Sequence, residues 1–419
     1  MSSDNNTPRL RFPGFEGEWK EKKLGEVGSF VRGLSYNKKE VTSNASSTLV
    51  IRSNNIIQDA HIDCKNNLQF VTKSPSKEQL LRKGDIAICL ANGSSNLIGK
   101  SSWYAGDYSG IVTVGAFCGI YRSTSPITKY LVQTAKYKNS INLLKQGGNG
   151  ALANLYGKDI LGLAFEFPSF AEQQKIASCL TEMDNLIASQ GQKVEALKEK
   201  KKGLMQQLFP QDGETTPKLR FPEFEGEWEE KKMSDVFSRR SEKNSENNKN
   251  VLTISAQYGL ISQLDFFKKS VSASDVTGYY LLHKGDFAYN KSSSQGKPVG
   301  AIKPLKLYDK GVVSTLYICF RCKDSNAIGF WEQYFDAGIF DKEIMSIAQE
   351  GARNHGLLNV PTRDFFNLVV KMPIPSEQQT IASFLSEFDN LISSESNKLE
   401  NLKNYKKGLM QQLFPQPVK

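Results

Sequence analysis

The chain has 419 residues, enough for two or three domains that each bury a core of their own. It carries 54 lysines and arginines against 44 aspartates and glutamates, and this net charge of +10 favours an anionic partner such as nucleic acid. The N-terminal segment MSSDNNTPRLRF has no apolar core, and no apolar run approaches the roughly 20 residues that span a bilayer, so we expect a cytoplasmic protein without a membrane partner.

The sequence gives little support for a catalytic or metal site. The six cysteines follow no disulfide framework and are typical of small core residues in a reducing compartment. Cys319 and Cys322 form a C-x-x-C pair, but it lies in the strand-like run VVSTLYICFRC and has no second pair beside it. No Walker loop, Asn/Asp-Pro-Pro-aromatic motif or histidine cluster is present, so we expect a chain that catalyses nothing by itself and binds no metal.

Two pairs of nearly identical segments divide the chain into halves. PRLRFPGFEGEWKEKKL starts at Pro8 and PKLRFPEFEGEWEEKKM starts at Pro217. Further along, EQQKIASCLTEMDNLI starts at Glu172 and EQQTIASFLSEFDNLI starts at Glu377. Such self-similarity indicates a duplicated unit. We therefore predict two half-units, 8–211 and 217–416, joined by the polar linker QDGETT, with variable regions between the repeated ends.

Both variable regions have the pattern of an α+β domain. In the first, TLVIRSNN, DIAICLANG and the longer GIVTVGAFCGIYRS predict strands, and PITKYLVQTAKYKNSINLLKQ predicts a helix. In the second, VLTISAQYG, DFAYNKSSS and GVVSTLYICFRC predict strands, followed by the helical NAIGFWEQYFDAGIFDKEIMSIAQ. A KGD turn precedes the second strand of each region. The two domains therefore share a plan but not their side chains.

Each variable region is followed by a long amphipathic helix. Apolar positions alternate at spacings of four and three from Ile176 to Leu208, and again from Ile381 to Leu413. This heptad seam predicts two helices of coiled-coil type.

The ends of both helices also carry signals. Ser169 with Glu172 forms a capping box, Ser376 with Gln379 forms a weaker one, and a proline at 210 and at 415 ends each helix.

The two helices most simply pair with each other. If a pseudo-twofold axis relates the half-units, the helices run antiparallel. A parallel pair remains open, because residues 217–369 are long enough to return the chain along the first helix. The predicted architecture is thus α+β, with two pseudo-symmetric domains separated by two long helices that form an antiparallel coiled coil.

Polar, glycine-containing loops recur at equivalent places in the two domains. One follows each KGD strand, and one precedes each long helix, at 146–154 and 349–359. Glycine permits close approach of the backbone, while Asn, Gln, Ser, Lys and Arg bond base edges and phosphates. Ordinary solvated loops are the alternative, but four at equivalent places favour recognition. The candidate DNA-binding residues are Arg32, Arg52, Asn54, Asn92, Gly93, Ser94, Ser95, Lys100, Asn149, Asn154, Arg239, Gln257, Tyr258, Lys291, Ser292, Ser293, Ser294, Gln295, Lys297, Arg353, Asn354 and His355.

This arrangement resembles a known family. Two variable regions, each led by LRFPxFxGEW and followed by a helix that opens P-x-x-x-E-Q-Q-x-I-A, are similar to the DNA specificity subunit of type I restriction-modification enzymes. The resemblance covers nearly the whole chain. It implies the following division: an N-terminal segment 1–17, target recognition domain 1 at 18–167, spacer helix 1 at 168–210, a linker and lead-in at 211–227, target recognition domain 2 at 228–372, and spacer helix 2 at 373–415.

The resemblance also implies the partners. Each domain would read one half of a bipartite site in double-stranded DNA, and the helices would set the gap and dock two modification subunits. Those subunits would supply S-adenosylmethionine and methylate adenine, and restriction subunits that use ATP and Mg could join. The candidate docking residues lie beside the seam: Met205, Phe209, Met410 and Phe414. The alternative for these four is that they pack under the adjacent variable domain.

Two other functions are compatible with the sequence. A free-standing DNA-binding regulator would use the same loops, although a dimeric regulator usually has two identical readers. A coiled-coil adaptor would explain the helices but not the polar loops. Co-purification of a methyltransferase at two copies per chain separates these alternatives from the specificity subunit.

Overall fold

The protein is described by a computed structural model that covers residues 7–146, 154–255, 259–267, 275–292, 297–348 and 358–416. Packing divides the chain into two compact units. The first consists of Met1–Gln190 with Lys398–Lys419, and the second of Gly191–Asn397. Each unit therefore contains one variable region and a segment of both long helices.

The first unit is built on short strands. They are Lys20–Lys23 (β1), Gly28–Arg32 (β2), Val41–Thr42 (β3), Thr48–Ile51 (β4), Phe70–Val71 (β5), Ile86–Cys89 (β6), Ser101–Trp103 (β7), Val112–Val114 (β8), Cys118–Ser123 (β9) and Ala164–Phe167 (β10). One sheet has the order β2-β9-β6-β7 and another the order β3-β5-β4-β8, while β1 pairs with β10. Every residue of β4 and β6 is buried, which explains why their sequences are apolar runs without alternation.

The helices of the first unit close over these sheets. They are Thr128–Leu131 (α1), Ala135–Gln146 (α2), Gly157–Leu161 (α3), residues 170–190 of the long helix Phe170–Leu208 (α4) and residues 398–413 of the second long helix, Pro375–Leu413. The single helix predicted over PITKYLVQTAKYKNSINLLKQ is wrong. The N–H and the hydroxyl of Thr134 both donate to the carbonyl of Leu131, at 3.0 and 2.7 Å, and the Thr134 hydroxyl accepts from the N–H of Tyr137. Thr134 thus ends one helix and starts the next.

The second unit repeats the plan. Its strands are Glu229–Lys232 (β11), Phe237–Arg240 (β12), Leu252–Ser255 (β13), Gly259–Ser262 (β14), Tyr280–His283 (β15), Phe287–Asn290 (β16), Ala301–Pro304 (β17), Lys310–Val313 (β18), Ile318–Cys322 (β19) and Val369–Met372 (β20). The order β12-β19-β16-β17 matches β2-β9-β6-β7, and the pair β11-β20 matches β1-β10. The α+β class predicted from the sequence is confirmed.

The helices of the second unit surround an aromatic core. They are Met233–Val236 (α5), Gln263–Phe267 (α6), Ile328–Asp336 (α7), Asp341–Ile347 (α8), Thr362–Asn367 (α9), residues 375–397 of Pro375–Leu413 (α10) and residues 191–208 of α4. Phe287 and Phe320 stack at the centre of this core with ring centroids 5.4 Å apart. The predicted helix NAIGFWEQYFDAGIFDKEIMSIAQ is divided at Gly338, whose positive φ of 76° ends α7 and its capping turn.

The two long strands of the prediction are also divided. GIVTVGAFCGIYRS forms β8 and β9, because Cys118 donates its N–H to the Gly115 carbonyl at 2.8 Å and closes a turn. GVVSTLYICFRC forms β18 and β19 around the equivalent bond from Tyr317 to Ser314, at 3.1 Å. In both units the turn separates strands that belong to different sheets.

The long helices α4 and α10 each contain 39 residues. Every heptad position of the two seams, from Ile176 to Leu208 and from Ile381 to Leu413, is buried or partly buried. Ser169 caps α4 by accepting from the N–H of Glu172 at 3.3 Å. Pro210 and Pro415 lie just beyond the two helices, as predicted.

The start of α10 differs from the prediction. This helix begins at Pro375, one residue before the expected cap Ser376, because proline suits the first helical position, where its missing N–H has no intrahelical partner.

Within each unit the segments of α4 and α10 run antiparallel. In the second unit Lys193 pairs with Glu395 at 3.1 Å and Lys201 pairs with Asp389 at 2.6 Å, so the partner number falls as the residue number rises. In the first unit the Lys406 ammonium lies 2.6 Å from the Asp184 carboxylate. Lys406–Asp184 and Lys201–Asp389 occupy equivalent positions of the repeat, so each unit uses the same ion pair to fix the helix register.

Candidate nucleic-acid interface

The KGD turn fixes the start of the central strand in each unit. Gly84 and Gly285 adopt φ values of 91° and 89°, in the left-handed region that favours glycine. The following Asp85 and Asp286 are buried. Each accepts a bidentate pair of hydrogen bonds from an arginine on the neighbouring strand, which also raises the pKa of that guanidinium. The turn thereby fixes the direction of β6 and β16, and so the position of the loops that follow these strands.

The polar loops predicted from the sequence meet in pairs at the far end of these strands. In the first unit the N–H of Leu155, at the end of the loop before α3, donates to the Leu90 carbonyl just after β6, at 2.9 Å. In the second unit the N–H of Leu358 donates to the Lys291 carbonyl just after β16, at 3.0 Å. Leu90 and Lys291 are equivalent, while Leu358 lies two residues before the counterpart of Leu155, so a similar backbone bond joins the corresponding loops in both halves.

In the first unit these loops border a groove with a volume of about 680 Å³. Four of the predicted DNA-binding residues line it: Arg52, Asn92, Gly93 and Asn154. Gly33, which follows β2, lets the backbone there lie close to Gly115 in the groove lining. A Cβ atom at residue 33 would lie 2.2 Å from the Gly115 carbonyl oxygen. The groove thus brings together an arginine, two asparagines and a glycine, groups of the kind that contact nucleic acid in other proteins.

Asn92 and Arg52 have different roles in this groove. The Asn92 side chain accepts from the N–H of Ser94 and donates to the Ser53 hydroxyl, both at 2.9 Å, so its amide holds the loop in shape. Arg52 donates through Nη2 to the Asn67 carbonyl at 3.0 Å. Its buried Nε has no hydrogen-bond partner among the described residues. Of these two side chains, Arg52 therefore has more hydrogen-bond donors left for a ligand.

The other predicted residues of the first unit lie around the groove. Arg32 is exposed and donates through Nε to the Ala116 carbonyl at 3.4 Å, in the turn that borders the groove. Asn54, Ser94 and Ser95 are exposed on neighbouring loops. Lys100 lies farther along, beside the start of β7, where its carbonyl accepts from the N–H of Cys89.

The second unit shows fewer of its predicted residues. Arg239 is exposed on β12, and Ser292 donates its N–H to the Asn290 side chain at 3.1 Å. Burial lowers the pKa of Lys291. Lys297 borders a very small cavity beside Asp341. Burial raises the pKa of the Asp341 carboxyl, and the positive charge of Lys297 opposes part of this shift.

The remaining predicted residues lie outside the described residues. They are Asn149, Gln257, Tyr258, Ser293, Ser294, Gln295, Arg353, Asn354 and His355.

Sequence reasoning missed two aromatic residues of the groove. Tyr36 and Phe117 line it together with the polar side chains, and Phe117 is 71% exposed. Phe117 was hidden in a run interpreted as one buried strand. The Gly115-Ala116 pair within that run is the signal that could have revealed a turn.

The four candidate docking residues pack against the domains of their own units, the alternative that the sequence left open. Phe209 and Phe414 are 0% and 3% exposed and pack edge-on against Trp228 and Trp19, with ring centroids 6.1 and 6.3 Å apart. Met205 is buried in the same core as Phe209, and Met410 is partly buried against the core that contains Phe414. These contacts stabilise the two units, and docking of a partner through these residues stays a prediction.

The repeated lead-in segments have a structural role that the sequence did not reveal. Arg11 forms a bidentate pair with Glu172 in the first turn of α4, both bonds being 2.8 Å. Arg220 does the same with Glu377 in the first turn of α10, at 2.9 and 2.7 Å. Glu172 and Glu377 are 1% and 0% exposed, and the bond to each carboxylate raises the pKa of its arginine.

Other kinds of site find no support in the described part of the chain. There, no three His, Cys, Asp or Glu side chains are grouped to hold a metal ion. None of the helices described above is long and apolar enough to cross a membrane. All six cysteines are free thiols.

The chain was then compared with known proteins. Residues 16–199 and 225–404 each match the family model of the type I restriction modification DNA specificity domain. The chain belongs to this family. The two matches include both variable regions and most of both long helices, and they confirm the resemblance inferred from the repeated motifs.

Curated members of the family are similar over parts of their length. The specificity subunits of the type I restriction enzymes StySPI from Salmonella potsdam and EcoKI from Escherichia coli K12 are 30% and 29% identical over 177 residues, 41% of this chain and 36% of theirs. The match thus spans about a third of those relatives. The MjaVIII specificity subunit of Methanocaldococcus jannaschii is 27% identical over 311 residues, 68% of this chain and 69% of its own.

Solved structures share the fold. The S subunit of a type I restriction-modification system from M. genitalium has a TM-score of 0.54 at 12% identity, covering 98% of this chain and 100% of that chain. A chain from work on complex assembly and conformational transition of the type I R-M system has a TM-score of 0.51 at 13% identity, covering 97% and 99%. The family fold therefore extends over nearly the whole chain.

Proposed function

We propose that this chain is the DNA specificity subunit of a type I restriction-modification complex. Each unit reads one half of a bipartite site in double-stranded DNA. The long helices set the gap between the half-sites and present two docking surfaces for two modification subunits. The chain itself is non-catalytic: S-adenosylmethionine binds to the modification subunits, which methylate adenine, and ATP and Mg serve any restriction subunits that join.

One observation supports this proposal most directly. Two domains with different side chains each tie the loop before the short helix to the end of the central strand by a backbone bond, Leu155–Leu90 in one and Leu358–Lys291, two residues earlier in the loop, in the other. A duplicated reader with divergent contacts is what two different half-sites require. An adaptor would have no need to keep these loops together, and a regulator built from two identical chains would have no need for two different readers.

Cassette exchange tests the two readers. Residues 18–167 are replaced by the equivalent region of a relative that has another target, and a second chimera replaces 228–372 as the matched control. Each chimera is expressed with the modification subunits, and methylated adenines are mapped genome-wide. We expect each exchange to change one half-site and to leave the other intact. Alteration of both halves by one exchange would contradict two independent readers.

The partners are tested separately. The chain is purified from its native cell, and the bound proteins are counted by native mass spectrometry. The proposal expects two methyltransferase subunits per chain. A chain that binds DNA specifically without any methyltransferase would support the regulator instead, and a filament-forming partner would support the adaptor.

A further inference from the structure

The turns that join β8 to β9 and β18 to β19 expose an apolar side chain at the same position. Cys118 donates its N–H to the Gly115 carbonyl, and Tyr317 donates to the Ser314 carbonyl, so each turn spans four residues. The third residue is Phe117 in one unit and Leu316 in the other. Phe117 is 71% exposed and Leu316 is 57% exposed.

The strand register shows independently that these positions correspond. Ile86, the first residue after the first KGD turn, pairs with Tyr121, and Phe287, the first after the second, pairs with Phe320. Counting back along β9 and β19 from these partners leads to Phe117 and Leu316. A single exposed apolar residue is common on protein surfaces. Two at one position of otherwise different domains indicate a shared role.

Hydrogen bonds fix the backbone of both turns at these residues. The Phe117 carbonyl accepts from the N–H groups of Leu90 and Ala91, at 2.8 and 3.2 Å, at the start of the loop that carries Asn92. The N–H of Leu316 donates to the Ser314 hydroxyl at 3.3 Å. Phe117 also lines the groove that contains Arg52, so a fixed apolar surface lies among groups suited to DNA.

The chemistry of the duplex identifies what such a surface would contact. In the major groove the base edges present hydrogen-bond donors and acceptors, and the apolar group among them is the thymine C5-methyl. We propose that Phe117 and Leu316 each contact a thymine methyl group, so that each half-site requires thymine at one position. This inference rests on the proposed function and names a specificity determinant in each reader.

Deoxyuridine provides the test, because uracil differs from thymine only by that methyl group. After the target is mapped, each thymine is replaced in turn by deoxyuridine, and binding by the full complex with its modification subunits is measured. The wild type should lose about fourfold in affinity at one position in each half-site. Phe117→Ala should abolish the loss in one half-site only, and Leu316→Ala in the other only.

The two variants serve as controls for each other. Because both side chains are exposed, an unchanged melting temperature should show that each variant folds. A wild type that binds its target specifically but tolerates deoxyuridine everywhere would overturn the proposal. So would a Phe117→Ala variant that binds the thymine duplex more weakly but still discriminates against deoxyuridine in the same half-site, as expected of a wedge between base steps. A complex without any specific target would instead refute the proposed function.

Discussion

Arg11 and Arg220 occupy the same place in the two copies of LRFPxFxGEW, and their partners Glu172 and Glu377 occupy the same place in the two copies of EQQ-x-IA. Each arginine also donates to two carbonyls of its own lead-in, at Glu16 and Gly17 or at Glu225 and Gly226. In each half, the lead-in and the start of the long helix thus form a clamp, in which the arginine binds the lead-in to the first turn of that helix.

Removal of one arginine should destabilise the protein measurably. Arg11→Ala leaves the carboxylate of Glu172 buried without its cation, and loss of one partner of a buried ion pair costs about 3 kcal/mol. The free energy of unfolding is obtained from urea denaturation followed by tryptophan fluorescence. Arg9→Ala is the matched control, because Arg9 is an exposed neighbour of Arg11, and it should change the free energy of unfolding little. Equal effects of the two substitutions would contradict the clamp.

At the scale of elements, the ion pair between α4 and α10 accounts for charged residues in an apolar seam. Lys201 and Lys406 stand at heptad positions that would otherwise be apolar, and each meets the aspartate of a DNLI sequence on the other helix. Asp389 also accepts from Gln333 of α7 at 2.8 Å, and Asp184 accepts from Tyr130 of α1 at 2.9 Å. The pair therefore fixes both the register of the helices and their contact with the domain.

A double-mutant cycle can measure this pair. Lys201→Ala, Asp389→Ala and the double variant should show a coupling free energy of about 1 kcal/mol, because the lysine is mostly buried while the aspartate is half exposed. Lys198 and Glu195 form an exposed pair within α4 and provide the control, with a coupling of about 0.3 kcal/mol. A coupling no larger than that of the control would mean that the pair does not fix the register.

The elements that sequence reasoning located are those defined by repetition or period. The heptad seam and the KGD turn each appear twice, so the two copies support each other. The divided strands were missed because apolar residues lie on both sides of Gly115 and of the pair 314–315, and an apolar run does not reveal that its halves join different sheets. The burial of Phe209 was left open because a helix residue beside a seam can face a domain or a partner, and spacing alone does not distinguish the two.

At the scale of the whole molecule, the proposed function makes the long helices responsible for the gap between the half-sites. One heptad inserted between Gln190 and Gly191, and another between Asn397 and Lys398, would fall where the helices pass from one packing unit to the other. Each insertion adds about 10 Å of helix at about 1.5 Å per residue. Because duplex DNA rises about 3.4 Å per base pair, the preferred gap should grow by about three base pairs.

The gap is measured by selection from a library that contains both half-sites at every spacing. The half-sites themselves should be unchanged. Affinity should fall with the altered rotation of the readers about the DNA, so the spacing of the surviving sites is the decisive quantity. An unchanged gap would show that the helices do not set the distance.

The lead-in clamp has one more consequence. In the second unit the N–H of Leu219 donates to the Gln207 carbonyl at 2.9 Å, and QDGETT connects the two segments. In the first unit the N–H of Leu10 makes the same bond to the Gln412 carbonyl at 3.0 Å, although these residues are far apart in sequence. Each unit thus has an equivalent joint between a lead-in and the end of a long helix, and in the second unit the backbone is continuous through this joint at 211–216. A circular permutant that joins Gln416 to Thr7 through a copy of QDGETT and opens the chain at Gly213 should therefore keep its unfolding free energy and its DNA target, with the two readers exchanged in order along the gene.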